Sequence, residues 1–223
     1  MRSPLSVIGA AFGVVFRRKT VVPDEAGTVR LAMPGWTEAA TGAGARLWRD
    51  ADGDILGFTV LDPAAAPLGS LTELDLQRAA RQVAEDDGAG LIEVATAAPP
   101  PRSIVSLIYK RLQAPAYVYT GILEMVTPRL TAVWKLVADE RGMTGVREAL
   151  ITIEMFKAGE LTPASYLQSW AQDPYDPAYH GVDRSVLRFL SDDERYDARF
   201  PTHPLSKVRR VLAALPASVE WVQ

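Results

Sequence analysis

Residues 104–138, IVSLIYKRLQAPAYVYTGILEMVTPRLTAVWKLVA, read as three consecutive β-strands. Ile104–Leu112 and Tyr117–Val126 are rich in β-branched and aromatic residues, and Tyr109, Tyr117 and Tyr119 suit a pleated, half-buried face. Pro115 has no N–H to give to a ladder, so it marks a break or an edge between the two runs. Thr127-Pro128 then turns the chain into Leu130–Ala138, a third strand carrying Trp134. Sequential strands joined by short connections pair as antiparallel neighbours, so the stretch predicts a meander.

Upstream, Thr28–Met33 is a short strand ending at Pro34-Gly35-Trp36, a turn with an aromatic plug. Ala45–Asp62 reads as a hairpin about Asp52-Gly53, a pair that tolerates the positive φ such turns require. Ser70-Leu-Thr-Glu73 has the form of a capping box opening a helix that stops near Asp87-Gly88, with Leu71, Leu74, Leu76, Ala79, Ala80 and Val83 at helical spacing. Leu91–Ala97 is another strand, and Pro99-Pro100-Pro101 a stiff spacer. Downstream, Thr144 caps a helix to about Ala158. Val146, Leu150, Ile153 and Phe156 form its apolar stripe, the face a surface helix turns to its core, and Gly159 is its stop.

After Thr162-Pro163 the pattern changes to short helices: one through Trp170, one from Asp183 through Leu190, a second capping box at Ser191–Glu194, and a last helix opened by Pro204 and running to Leu215. Val219–Val222 returns to the body, bringing Trp221 out of water. The order ββ(β)-α-βββ-α defines an α+β fold, an antiparallel sheet with helices packed on one face, followed by a C-terminal segment of short helices. The divisions expected are an apolar and basic N-terminal segment (1–23), an α+β sandwich (24–160) and a helical appendage packed on the same body (161–223).

Composition narrows the function. Hydrophobic residues make up 48% and charged residues 23%, the balance of an ordinary globular protein. A net charge of −3 carries no signature of nucleic-acid binding. The chain has no cysteine, which excludes disulfides, thiolate nucleophiles and Cys-ligated metal centres. The excess of arginine over lysine, with abundant alanine, suggests a bacterial, GC-rich source. Leu5–Phe16, LSVIGAAFGVVF, is followed by Arg17-Arg18-Lys19. Twelve residues are too few for a membrane-spanning helix, which needs about 20. The segment is read as packing on the core. The alternatives are an interfacial anchor or partner-docking segment formed by residues 5–19 and a signal peptide, although the strongest charge follows the apolar run, where cleavage would fall.

Between residues 28 and 158 the arrangement resembles the PsbP-like superfamily. Met33-Pro34-Gly35-Trp36 and the capped helix at Ser70 carry the resemblance: an opening strand with a Pro-x-Trp turn, a hairpin, a helix, a three-stranded meander and a final helix. The resemblance implies a protein that is mostly non-enzymatic, one that binds proteins, stabilises complexes or sits on an envelope. It supplies no family-wide functional residue, and the tail after Thr162 lies outside it.

Candidate chemistry concentrates between Trp170 and Leu212. Asp173, Asp176, His180 and Asp183 are spaced closely enough to reach one cation, but Pro174 and Pro177 make the stretch turn chemistry first, so no metal is expected. His203 with Ser206 has the elements of a base and a nucleophile, yet His203 precedes Pro204 at a helix entry and reads as a capping or buried histidine. Asp192, Asp193 and Glu194 suit a helix start. Arg184, Arg188, Tyr196, Arg199, Phe200, Arg209 and Arg210 are of the types that dominate protein–protein hot spots. The same mix suits an internal network, Arg with Asp and Tyr196 and Phe200 pinning short helices to the core, and that is the preferred reading of most of them. The expectation is a non-catalytic, cytoplasmic bacterial protein with no cofactor that binds another protein, as a complex subunit or an immunity-type inhibitor. The alternatives are a hydrolase, metal-dependent or histidine-based, using Asp173, Asp176, His180 or His203, and a peripheral protein of the inner membrane.

Overall fold

A computed structural model describes residues 29–42, 45–61, 68–97, 103–126 and 130–221. The expectations for residues 5–19, Pro99–Pro101, Thr127-Pro128 and Val222 fall outside them. Seven strands form one antiparallel sheet: β2 (Trp36–Gly42), β3 (Ala45–Asp50), β4 (Ile55–Leu61), β5 (Gly90–Ala97), β6 (Ser103–Gln113), β7 (Ala116–Val126) and β8 (Thr131–Asp139), in the order β2-β3-β4-β8-β7-β6-β5. The predicted meander is its centre, with Tyr109 opposite Thr120 and Leu123 opposite Trp134. Gly53, at φ +87°, turns the β3–β4 hairpin. β1 (Val29–Leu31) stands apart from this sheet and pairs with β11 (Val219–Trp221), so the chain does return to the body as far as residue 221.

Helices cover both faces, where the sequence pattern suggested one. Helix α4 (Pro204–Ser218) lays Leu205, Val208, Leu212 and Leu215 on the face that carries Phe58, Ile108, Leu123 and Trp134. Burying each such side chain contributes about 1.5–3 kcal/mol. The helix sits close because Gly121 has no side chain: a Cβ there would lie 2.5 Å from Val208 Cγ1. Helix α1 (Glu73–Asp86) packs Ala80 and Ala84 on the opposite face against Leu107, Tyr109 and Ile122. Its cap is Thr72, whose side chain accepts from Asp75 N, and Ser70 belongs to a preceding 3-10 turn, Leu68–Ser70. The described part of the region after residue 160 is thus built into the main core through α4.

A third core joins α2 (Val146–Ala158), α3 (Pro163–Ser169) and the segment that follows, including the short pair β9 (Ala171–Gln172) and β10 (Arg188–Phe189). Ile151, Met155, Leu161, Trp170, Leu187 and Phe189 form it. Two expected elements change here. Asp183 caps only the turn Arg184–Val186, after which the chain enters β10, because Leu187 and Phe189 are drawn into this core. Ser191–Glu194 is not a capping box: Asp193 caps the turn Glu194–Arg199, and Ser191 is buried beneath it.

Candidate functional site

Helix α2 faces the opposite way from its hydrophobic pattern. Leu150, Ile153 and Phe156, predicted to meet the core, are exposed, with Ile153 at 50%. The buried residues are Arg147, Ile151 and Met155. Arg147 is the physical reason. Its guanidinium is wholly buried and donates from Nε to Ser191 O (2.7 Å), from Nη1 to Asp197 Oδ1 and Ser206 Oγ (both 2.9 Å), and from Nη2 to Asp193 O (2.9 Å). A buried charge demands such partners, so the arginine fixes which side of α2 points inward. Gly145, with a positive φ, precedes the helix, while Thr144 donates to Pro115 O instead of capping it.

The outward stripe continues into α3. Phe156 lies 5.8 Å from the Tyr166 ring, and Tyr166 stacks on Trp170 at 5.5 Å. Leu167 is 69% exposed. Beside it opens a shallow groove of about 360 Å³ whose lining includes Tyr117, Tyr166, Leu167, Trp170, Arg184 and Phe189. Trp170 and Phe189 are buried and form its floor. Lys110 supports that floor from within: its Nζ lies 3.2 Å from the Phe189 ring centroid and 2.5 Å from Asp192 Oδ2, both charges fully buried. Burial pushes the Lys110 pKa down, against the attraction of Asp192. An exposed apolar face joined to an aromatic groove is the usual mark of a binding surface.

The arginine and aromatic residues singled out in the sequence serve mostly as internal ties. Arg209, expected on a partner surface, is instead only 11% exposed and pairs with Glu93 (2.6 Å) and Asp197 (3.0 Å). Arg199 makes a two-pronged pair with Glu154, and Arg210 donates to Pro201 O. Arg188 lies 3.4 Å from Asp193, and Tyr196 and Phe200 pack on the third core. Arg184 alone borders the groove, donating to Leu167 O and Ala171 O.

Asp173, Asp176, His180 and Asp183 do not converge: no three of them bring ligand atoms within 4.8 Å of one another. Asp173 is buried, held by Arg81 through both carboxylate oxygens. His203 caps α4, its Nδ1 accepting from Leu205 N at 3.2 Å. Ser206 is bonded to Arg147 and Asp197, so the two do not form a base–nucleophile pair. A larger cavity of about 490 Å³ lies between α1 and β5, with Glu73 and no His, Lys or Arg among the described residues on its wall.

The architecture defines an α+β protein with a seven-stranded antiparallel sheet between α1 and α4. No family model and no curated protein matches the sequence. Among solved structures it is similar to the Ran-binding protein Mog1p of Saccharomyces cerevisiae, with a TM-score of 0.46 and 9% identity over 92% of this chain and 96% of that one. Among the described residues no helix is long and apolar enough to cross a membrane.

Proposed function

We propose that the protein acts by binding another protein through the outer face of α2 and the adjoining groove. The observation that supports this is the outward stripe Leu150–Ile153–Phe156, held outward by the buried Arg147. A subunit of a complex and an inhibitor seated on its target are the two forms this reading takes. The partner would bring an apolar anchor to the groove, where desolvated aromatic contacts supply most of the affinity.

The test is a photocrosslinking residue placed at Ile153, with Arg78 on the far side of the sheet as the control. A discrete adduct from position 153, absent from position 78 and lost on Phe156→Glu, is the expected result. No adduct, or equal adducts from both positions, refutes the reading. An adduct with the mass of two chains makes the face a self-association surface instead.

A further inference from the structure

We propose that Glu140, Glu148 and His203 bind one divalent transition-metal ion of the zinc class. The three come from three elements: Glu140 follows β8, Glu148 lies in the first turn of α2, and His203 caps α4. His203 Nε2 is 3.5 Å from Glu140 Oε1 and 3.9 Å from Glu148 Oε1, and one ligand atom from each lies within 4.8 Å of the others. Zinc bonds of roughly 2.0–2.2 Å set tetrahedral ligand atoms about 3.3 Å apart, so small side-chain movements close the site.

A second observation points to a ligand. The His203 side chain is only 9% exposed, and its Nε2 is buried with no hydrogen bond of good geometry, its nearest acceptors being the Glu140 and Glu148 carboxylates of the same cluster. Glu148 Oε2 is buried and unpartnered as well. Native proteins rarely leave such atoms unpaired, and here both belong to the same cluster. Glu140 is already oriented: Oε2 accepts from Tyr117 N at 3.0 Å and Oε1 from Gly145 N at 3.2 Å. A pocket of about 430 Å³, lined in part by Glu140 and His203, gives access and room for a water as fourth ligand.

The donor set selects the ion. One imidazole with two carboxylates suits zinc or its first-row neighbours, whereas calcium and magnesium prefer all-oxygen shells. Coordination through Nε2 moves the imidazole proton to Nδ1 and gives up the 3.2 Å bond from Leu205 N, which moderates affinity. The other carboxylate cluster, Asp50, Asp52 and Asp54, already has a cation, since Lys207 Nζ reaches all three.

The experiment titrates chelator-treated, untagged full-length protein with zinc and with calcium by calorimetry, and counts bound metal by mass spectrometry. One zinc per chain and no calcium is expected. His203→Asn removes the imidazole but keeps a side-chain oxygen able to cap α4, so it should stay folded while zinc affinity falls about tenfold or more. Glu148→Gln should weaken zinc likewise, and His180→Ala should not. No zinc uptake by the wild type, uptake unchanged in folded His203→Asn and Glu148→Gln, or uptake lost with His180→Ala overturns the proposal.

Discussion

Ile151 and Ile153 stand two positions apart on α2, one wholly buried and the other half exposed. Replacing each by alanine measures which face of the helix meets the core. Ile151 packs with Met155, Leu161, Trp170, Leu187 and Phe189. Ile151→Ala removes buried methyl groups and leaves a cavity, costing about 2–5 kcal/mol. Ile153 already has half its surface in water, so Ile153→Ala forfeits at most about 1 kcal/mol of burial. Alanine's better helix propensity returns about 0.4 kcal/mol, for a net loss of about 0.5 kcal/mol. Urea unfolding, with a slope of about 2–3 kcal/mol/M for a chain of this size, should separate the two midpoints by roughly 1 M. The slope must be shared for the comparison to hold. Equal losses, or a larger loss from Ile153→Ala, would make Leu150, Ile153 and Phe156 the core face and refute both the orientation of α2 and the binding surface built on it. Partner capture should rank the pair in reverse, with Ile153→Ala weakened and folded Ile151→Ala close to wild type.

Gly121→Ala would press its Cβ to 2.5 Å from Val208 Cγ1 and 2.9 Å from Leu212 Cδ1. Overpacking of this kind costs about 1–3 kcal/mol, which should lower the Tm by several degrees; an unchanged Tm would mean α4 is not seated on Gly121. Lys207 ties α4 to the β3–β4 hairpin through Asp50, Asp52 and Asp54. Burial alone would lower the Lys207 pKa, but its three carboxylate partners raise it above the ordinary 10.5, so its stabilisation is full below that value and lost as pH rises through the raised one. The hydrogen bond from Lys207 lowers Asp52 below 3.8, and that contribution is full above 3.8 and lost as pH falls through the lowered value. The Tm deficit of Lys207→Met should therefore hold steady from about pH 5 to 10 and shrink in stronger acid. A deficit that grows below pH 4 would contradict this account.

The meander and the β3–β4 hairpin were legible because β-branched runs, a proline between strands and an Asp-Gly turn each point to one local structure. β2 was not: Trp36–Gly42, WTEAATG, is an edge strand whose mostly exposed small and polar residues give no alternating hydrophobic signal. The α1 cap sits two residues beyond the one its pattern suggests because Ser is, in isolation, a slightly better cap than Thr, and only the bond from Asp75 N selects Thr72. The capping role of His203 is legible, since Pro204 at the first helical position is a local signal. Glu140 and Glu148 come to it only through the packing of β8, α2 and α4. Arg147 and Arg209 were hidden for the same reason. An arginine beside the apolar stripe of an amphipathic helix reads as solvent-facing until its partners, distant in sequence, are known.

The orientation of α2 shows how a polar residue can overrule an apolar pattern. If α2 rolled about its axis, Leu150, Ile153 and Phe156 would gain burial of the halves now exposed, about 1 kcal/mol each. The roll would break the bonds of Arg147 to Ser191 O, Asp193 O, Asp197 and Ser206, and losing one side of a buried ionic contact costs about 3–5 kcal/mol. It would also withdraw Ile151 and Met155 from the third core. The directional anchor outweighs the stripe, and the stripe remains available to a partner. Arg147→Met tests this balance directly. Without the guanidinium the roll is no longer opposed by polar contacts, so amide exchange across α2 should quicken and partner capture should fall, although every residue of the outer stripe is unchanged. Capture as strong as wild type in folded Arg147→Met would show that packing of Ile151 and Met155 alone sets the orientation, and that the arginine does not hold the binding face outward.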